Sequence, residues 1–132
     1  MQSSKNRVIV ACAGAGKTTT IVDRALGAPK SRILLTTYTN ENVAQIRQCI
    51  VERHRSIPEN ITVEPWATFL LREGVRPYQN LLSRNSRVRS IFYPEKKNIY
   101  QAKDSYFTAD GDIYGDKLSE FVFECNKASK GR

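Results

Sequence analysis

Apolar positions fall in short blocks through the first half of the chain, separated by glycine, proline and polar clusters. Residues 7–11, centred on Val8-Ile9-Val10, read as a strand. A glycine-bearing turn follows. Residues 16–26 read as a helix, stopped by Gly27 with Pro29 just beyond. Ile33-Leu34-Leu35 marks a second strand over 32–36. Asn40 stands where an N-cap would start a helix over 41–55, whose Val43, Ile46 and Ile50 share one face. Pro58 breaks the chain before a third strand at 61–63. Beyond Pro65 a helical run covers 66–72 and ends near Gly74 and Pro77. The order β-α-β-α-β predicts a parallel sheet flanked by helices, an α/β fold.

The second half is patterned differently. Residues 78–89 are polar and basic and read as helical. Residues 105–114 alternate around Asp110-Gly111 and predict a hairpin. Asp116 is placed to cap a last helix with Leu118, Phe121, Val122 and Cys125 on one face, ahead of a polar tail from Asn126. No internal repeat or low-complexity tract interrupts this mixed helix and hairpin region.

Charge changes the picture more than composition does. The 132 residues carry a net charge of +8. Between Arg72 and Lys103 eight basic residues face two acidic ones, and from Asp104 onward six acidic residues face four basic. The basic stretch also holds Tyr78, Phe92, Tyr93 and Tyr100. It reads either as a nucleic-acid backbone surface with stacking rings or as a solvated face with its own aromatic cluster. No apolar run reaches the length of a membrane span, and the N-terminus does not read as a signal peptide. Three separated cysteines, Cys12, Cys49 and Cys125, show no metal spacing and point to a reduced, cytoplasmic setting. His54 reads as a solvated residue at a helix end.

Candidate chemistry concentrates in Ala11-Cys12-Ala13-Gly14-Ala15-Gly16-Lys17-Thr18. A strand, a turn ending in Gly-Lys-Thr and a helix form the phosphate-binding loop of nucleoside triphosphatases. Gly14 and Gly16 let backbone N–H groups close around an anion, with Ala13, Ala15 and Thr19 completing the cradle. The helix start aims its free N–H groups at the same point. Lys17 can reach the β- and γ-phosphates of a nucleoside triphosphate, and the Thr18 hydroxyl can ligate Mg²⁺. A lysine in a helix's first turn is electrostatically unfavourable unless an anion sits there. The alternative is an ordinary strand-to-helix turn with a solvated Lys17.

A second constellation, Leu35-Thr36-Thr37-Tyr38-Thr39-Asn40, ends the second strand at the carboxyl edge where ligands bind in such sheets. Its hydroxyls can hold a nucleic-acid phosphate and Tyr38 can stack on a base. Taken singly, the simpler reading has Tyr38 in the core and Asn40 only capping.

Three stretches in this order resemble the N-terminal part of superfamily 1 helicases of the UvrD/Rep type. Residues 11–18 resemble motif I, residues 34–47 resemble motif Ia, and Val63-Glu64-Pro65-Trp66-Ala67-Thr68-Phe69 resembles motif Ib, over a span of about residues 8–71. The resemblance implies a RecA-like P-loop motor, incomplete here, over residues 1–74. Residues 75–132 would be a basic inserted subdomain that touches the duplex junction. It implies ATP as the nucleotide and ATP-driven movement along single-stranded DNA, with Thr37, Tyr38 and Asn40 on the DNA track and Trp66 and Thr68 near it.

The sequence departs from that pattern in places. Pro65 and Ala67 stand where the family usually has Thr and His. Gln2 lies too close to motif I to match the glutamine that reads adenine. No Asp-Glu pair follows a strand, so the acidic motif that positions Mg²⁺ is expected beyond residue 132, along with the second motor domain. The strands that normally flank the loop strand come later in this family, so an open edge and self-association are expected. Two other readings stay open: a non-catalytic nucleotide- and DNA-binding module, and a small P-loop kinase or signalling NTPase. No guanine-specifying Asn-Lys-x-Asp supports the last.

Overall fold

A computed structural model of the chain describes residues 6–82, 87–94 and 106–130. It divides into two units, residues 1–35 with 41–63 and residues 36–40 with 64–132. Gln2, Arg84, Lys96, Lys97, Tyr100, Lys103 and Asp104, all singled out by sequence, lie outside the described residues, as does Ser105 at the start of the expected hairpin.

The first unit is built on α1 (Lys17–Leu26) and α2 (Asn40–His54), with the leading parts of β1 (Ile33–Thr37) and β2 (Ile61–Pro65). β1 and β2 pair in a small parallel sheet, with α2 as the crossover between them. The core closes Val22 and Ala25 of α1 and Val43 and Ile50 of α2 over Leu35, Ile61 and Val63. Ile46 packs partly buried against it, so the predicted face of α2 is the one that docks. Arg47 donates from Nη2 to the Val63 carbonyl at 2.8 Å, and Arg53 pairs with Asp23 at 2.8 Å. His54 ends α2, exposed as expected.

One expected element is not there. Residues 7–11 form no strand, and Val8 and Val10 are 88% and 92% exposed. A strand is held by a neighbouring ladder and by cover on its faces, and no described strand pairs with this segment. The three-stranded sheet predicted from the pattern is therefore reduced, among the described residues, to the β1–β2 pair in this half of the chain.

In the second unit, α3 (Trp66–Phe69) runs on without a break into a π-helical turn (Leu70–Val75). The Arg76 N–H reaches back to the Leu71 carbonyl at 3.0 Å, the five-residue spacing of that geometry. The helical run thus extends past Gly74, three residues beyond the predicted end. Residues 78–89, expected to be helical, are so only over α4 (Gln79–Leu82) among those described. β3 (Ile91–Phe92) pairs in parallel with β4 (Ile113–Tyr114), and Phe107 bridges Ile113 from the other side in antiparallel sense. The Asp110-Gly111 turn forms as predicted: the Gly111 N–H donates to the Thr108 carbonyl at 3.0 Å and the Thr108 N–H to the Asp112 carbonyl at 2.8 Å.

Asp116 does not cap the last helix. It lies inside a 3-10 turn (Gly115–Lys117) that leads into α5 (Leu118–Lys130), and the helix takes in the polar tail as far as Lys130. Leu118, Phe121 and Cys125 of α5 are buried and Val122 is half-buried, the face the pattern predicted. Phe121 sits edge-on to both Tyr106 and Phe107, each at 5.3 Å between ring centres. Val75, Val88 and Ile113 complete this core, all fully buried.

Candidate functional site

Gly14 and Gly16 both adopt left-handed backbone, with φ of 77° and 72°. A Cβ at either would meet nothing within 4 Å, so the demand for glycine is conformational and not one of space. Gly16 precedes α1 without a side-chain cap, and no acidic residue occupies the helix's first turn. The first N–H groups of a helix have no partner inside it, so this end has donors that an anion could take.

Lys17, the first residue of α1, folds back across the turn. Its ammonium donates to the carbonyls of Ala11 and Cys12, both at 2.8 Å, and forms no ion pair with any described residue. Thr20 closes the start of the helix by donating to the Gly16 carbonyl at 3.0 Å. Ala13, Ala15 and Thr19 are exposed and Thr18 is half-buried. An open cleft of about 430 Å³ runs beside the loop, lined by Arg7, Lys17 and Arg24 together with Ile9, Thr20 and Ile21. Three cations and no carboxylate on its walls suit a polyanion. Cys12 is free and exposed.

Thr37, Tyr38 and Asn40 lie at the carboxyl end of β1, and Trp66 and Thr68 just past the carboxyl end of β2. Parallel pairing puts both ends at one edge, so the second unit gathers all five residues in that region. Tyr38 is 87% exposed, which rules out the simpler reading that placed it in the core. Asn40 opens α2 as its first residue. Trp66 is 39% exposed and stacks on Phe69 at 5.4 Å, and Thr68 is exposed.

Sequence reasoning passed over Glu64. It is the one buried charged residue among those described, 7% exposed on β2. Arg72 grips both its carboxylate oxygens, at 2.6 and 2.7 Å, and donates from Nε to Glu73 at 2.7 Å. The hydrogen bonds it donates to Glu64 and then to Glu73 raise the guanidinium's pKa further above its already high range. The advance signal was a carboxylate between Val63 and Pro65, in the position of the strand that follows two buried apolar residues, Ile61 and Val63. A second cleft, of about 440 Å³, is lined by Arg76, Arg87, Arg89 and Asp110 with Val88. Arg76 is pinned there by the carbonyls of Val88 and Arg89, and the Val88 N–H donates to Gln79 Oε1 at 2.7 Å.

A turn shaped for an anion, followed by an exposed aromatic at the next strand's end, has a counterpart among known families. The family model of the UvrD/REP helicase N-terminal domain matches residues 1–112. The chain belongs to this family. No curated protein and no solved structure matches it. The UvrD/REP match runs well past residue 71, where the three motifs end, and takes in β3 and the Asp110-Gly111 turn. No helix among the described residues is long and apolar enough to cross a membrane, and no group of three or more Asp, Glu, His or Cys among them is set to hold a metal ion.

Proposed function

We propose that this chain supplies the nucleotide loop and part of the DNA track of an ATP-dependent DNA helicase or translocase. Residues 1–74 act as part of a RecA-like P-loop motor domain, and residues 75–132 as a basic subdomain toward the duplex junction. Lys17, Gly14, Gly16 and the amides of Ala13, Ala15, Thr18 and Thr19 hold the phosphates of ATP, and Thr18 provides the protein's hydroxyl to Mg²⁺. When bound, the metal neutralises charge on the phosphates. Thr37, Tyr38, Asn40, Trp66 and Thr68 take single-stranded DNA by phosphate contact and base stacking. The arginines around the second cleft take backbone phosphates of the duplex.

The observation that carries this reading is Lys17. Among the described residues its ammonium is held by two neutral carbonyls and no carboxylate, beside two left-handed glycines, at the uncapped start of a helix. Carbonyl partners are weaker than phosphate oxygens, so the side chain is free to exchange one for the other.

A second reading, binding without turnover, has its own support. No Asp-Glu pair occurs anywhere in the sequence. Phosphoryl transfer depends on positioning and charge neutralisation, and a phosphate loop alone supplies binding but no water activator. The 132-residue chain is expected to bind a fluorescent ATP analogue and to hydrolyse ATP little or not at all, with or without single-stranded DNA. Lys17→Ala is expected to weaken nucleotide binding by at least about tenfold, the equivalent of one charged hydrogen bond. Unchanged binding in Lys17→Ala refutes the loop assignment. DNA-stimulated turnover refutes the binding-only reading, and indifference of nucleotide binding to DNA favours a small kinase or signalling NTPase.

A further inference from the structure

We infer that Arg72 is a positioning residue for single-stranded DNA: by clamping buried Glu64 it fixes the angle at which α3 leaves β2, and so holds Trp66 and Thr68 at the strand edge. The inference rests on the proposed DNA reading and deepens it at one site. Glu64 is the residue before Pro65, and α3 begins at Trp66. Arg72 sits in the π-helical turn that continues α3. The two-pronged contact therefore closes a loop around the whole segment 64–72, with Trp66 and Thr68 inside it.

Fork-to-fork geometry fixes orientation as well as distance, which a single ammonium cannot do. The carboxylate is buried, so its alternatives are few: either Arg72 satisfies both oxygens or a charge is left without compensation. The Nε bond to Glu73 fixes the guanidinium plane from its outer side. Stacking of Trp66 on Phe69 leaves part of the indole exposed, and the direction of that exposed part follows the tilt of α3. Arg72 itself need not touch DNA for this.

Trp66 is the chain's single tryptophan, so its emission reports on this segment alone. The experiment titrates the full chain with oligothymidylate and follows quenching of Trp66, for wild type, Arg72→Lys and Glu64→Gln. Circular dichroism establishes folding at the assay temperature. Arg72→Lys keeps the charge and loses the fork. It is expected to bind about tenfold more weakly, with a reduced quenching amplitude and an unchanged salt dependence. Glu64→Gln, which leaves Arg72 in place, is expected to show the same loss.

Wild-type affinity and quenching in either folded variant overturns the inference, since a charge-only role is kept by Lys and a purely structural role leaves the folded fraction binding normally. Unfolding of both variants assigns the clamp to stability and also overturns it. Failure of the wild type to show any quenching sinks the DNA reading itself, a result distinct from either of these.

Discussion

The glycine turn ahead of α1 and the α5 core are held in opposite ways. Around the loop, residues 6–16 make few side-chain contacts, their apolar side chains face outward, and the defining interaction is one ammonium on two carbonyls. Around α5, Phe121 is wholly buried among aromatic edges, and Ile113, Val88 and Val75 are wholly buried with it. The glycines of this turn were legible from the residues, while the lack of a paired strand ahead of it was not. The α5 region carries no motif, yet it packs fully. A ligand-binding turn is specified by a few residues in fixed spacing, whereas a core is specified by volume and pattern over many. The two kinds of information are independent, and this chain separates them.

The strongest way to break that contrast is Phe121→Ala. Removing a fully buried ring that meets Tyr106 and Phe107 should cost about 3–5 kcal/mol, the range for large-to-small changes in a packed core. Urea unfolding followed by Trp66 emission, a reporter in the same unit, measures it. A loss below about 1 kcal/mol would mean that the α5 region is as loosely held as the loop.

Much of the fold was legible because local signals were strong. Helix α1 begins within a residue of its expected start, and α2 buries Val43 and Ile50 as its period required. The Asp110-Gly111 turn forms because Gly111 takes a φ of 88°, which that turn demands and most residues resist. The misses share a cause. Val8-Ile9-Val10 has the composition of a strand, but composition cannot provide a neighbour to pair with. The helical run passes through Gly74, where a Cβ would lie 2.8 Å from a Val122 methyl, a close approach between residues distant in sequence that no local pattern reveals. The Glu64–Arg72 clamp spans a strand-to-helix junction, where neither period 2 nor period 3.6 predicts a pairing. Exposure of Tyr38 was equally hidden, since one aromatic residue at a strand end fits a core as well as a surface.

A smaller effect sharpens the comparison by pH. Burial pushes the Cys125 thiol up from its ordinary 9.0, and burial, then the charges of Glu120 and Glu124, push the Tyr106 phenol up from 10.0. The hydrogen bond to Glu120 raises Lys117 above its ordinary 10.5. Each group holds its proton more tightly folded than unfolded. Each therefore contributes stability that is fully present below its unfolded value and is lost as pH rises through the folded one. All three belong to the second unit, so its urea midpoint should fall once the pH passes about 9. Cys125→Ala should remove the earliest part of that fall. A midpoint that stays level across the alkaline range would show that these side chains are not sequestered as the structure has them.

The smallest expected effect bears on the other side of the comparison. Val10 is 92% exposed and Val22, in α1, is wholly buried. Val10→Ser should change stability by no more than about 0.5 kcal/mol, the range for exposed positions free of special contacts. Amide exchange over residues 7–11 should be fast, because no ladder protects those N–H groups. A cost above about 1 kcal/mol together with slow exchange would mean that this segment is paired and covered in solution. In that case the loop would rest on a strand after all, and rigidity imposed by a partner surface, not the openness seen here, would set how Lys17 meets its anion. Repeating the exchange measurement at several protein concentrations distinguishes pairing between copies, whose protection grows with concentration, from pairing within one chain, whose protection does not.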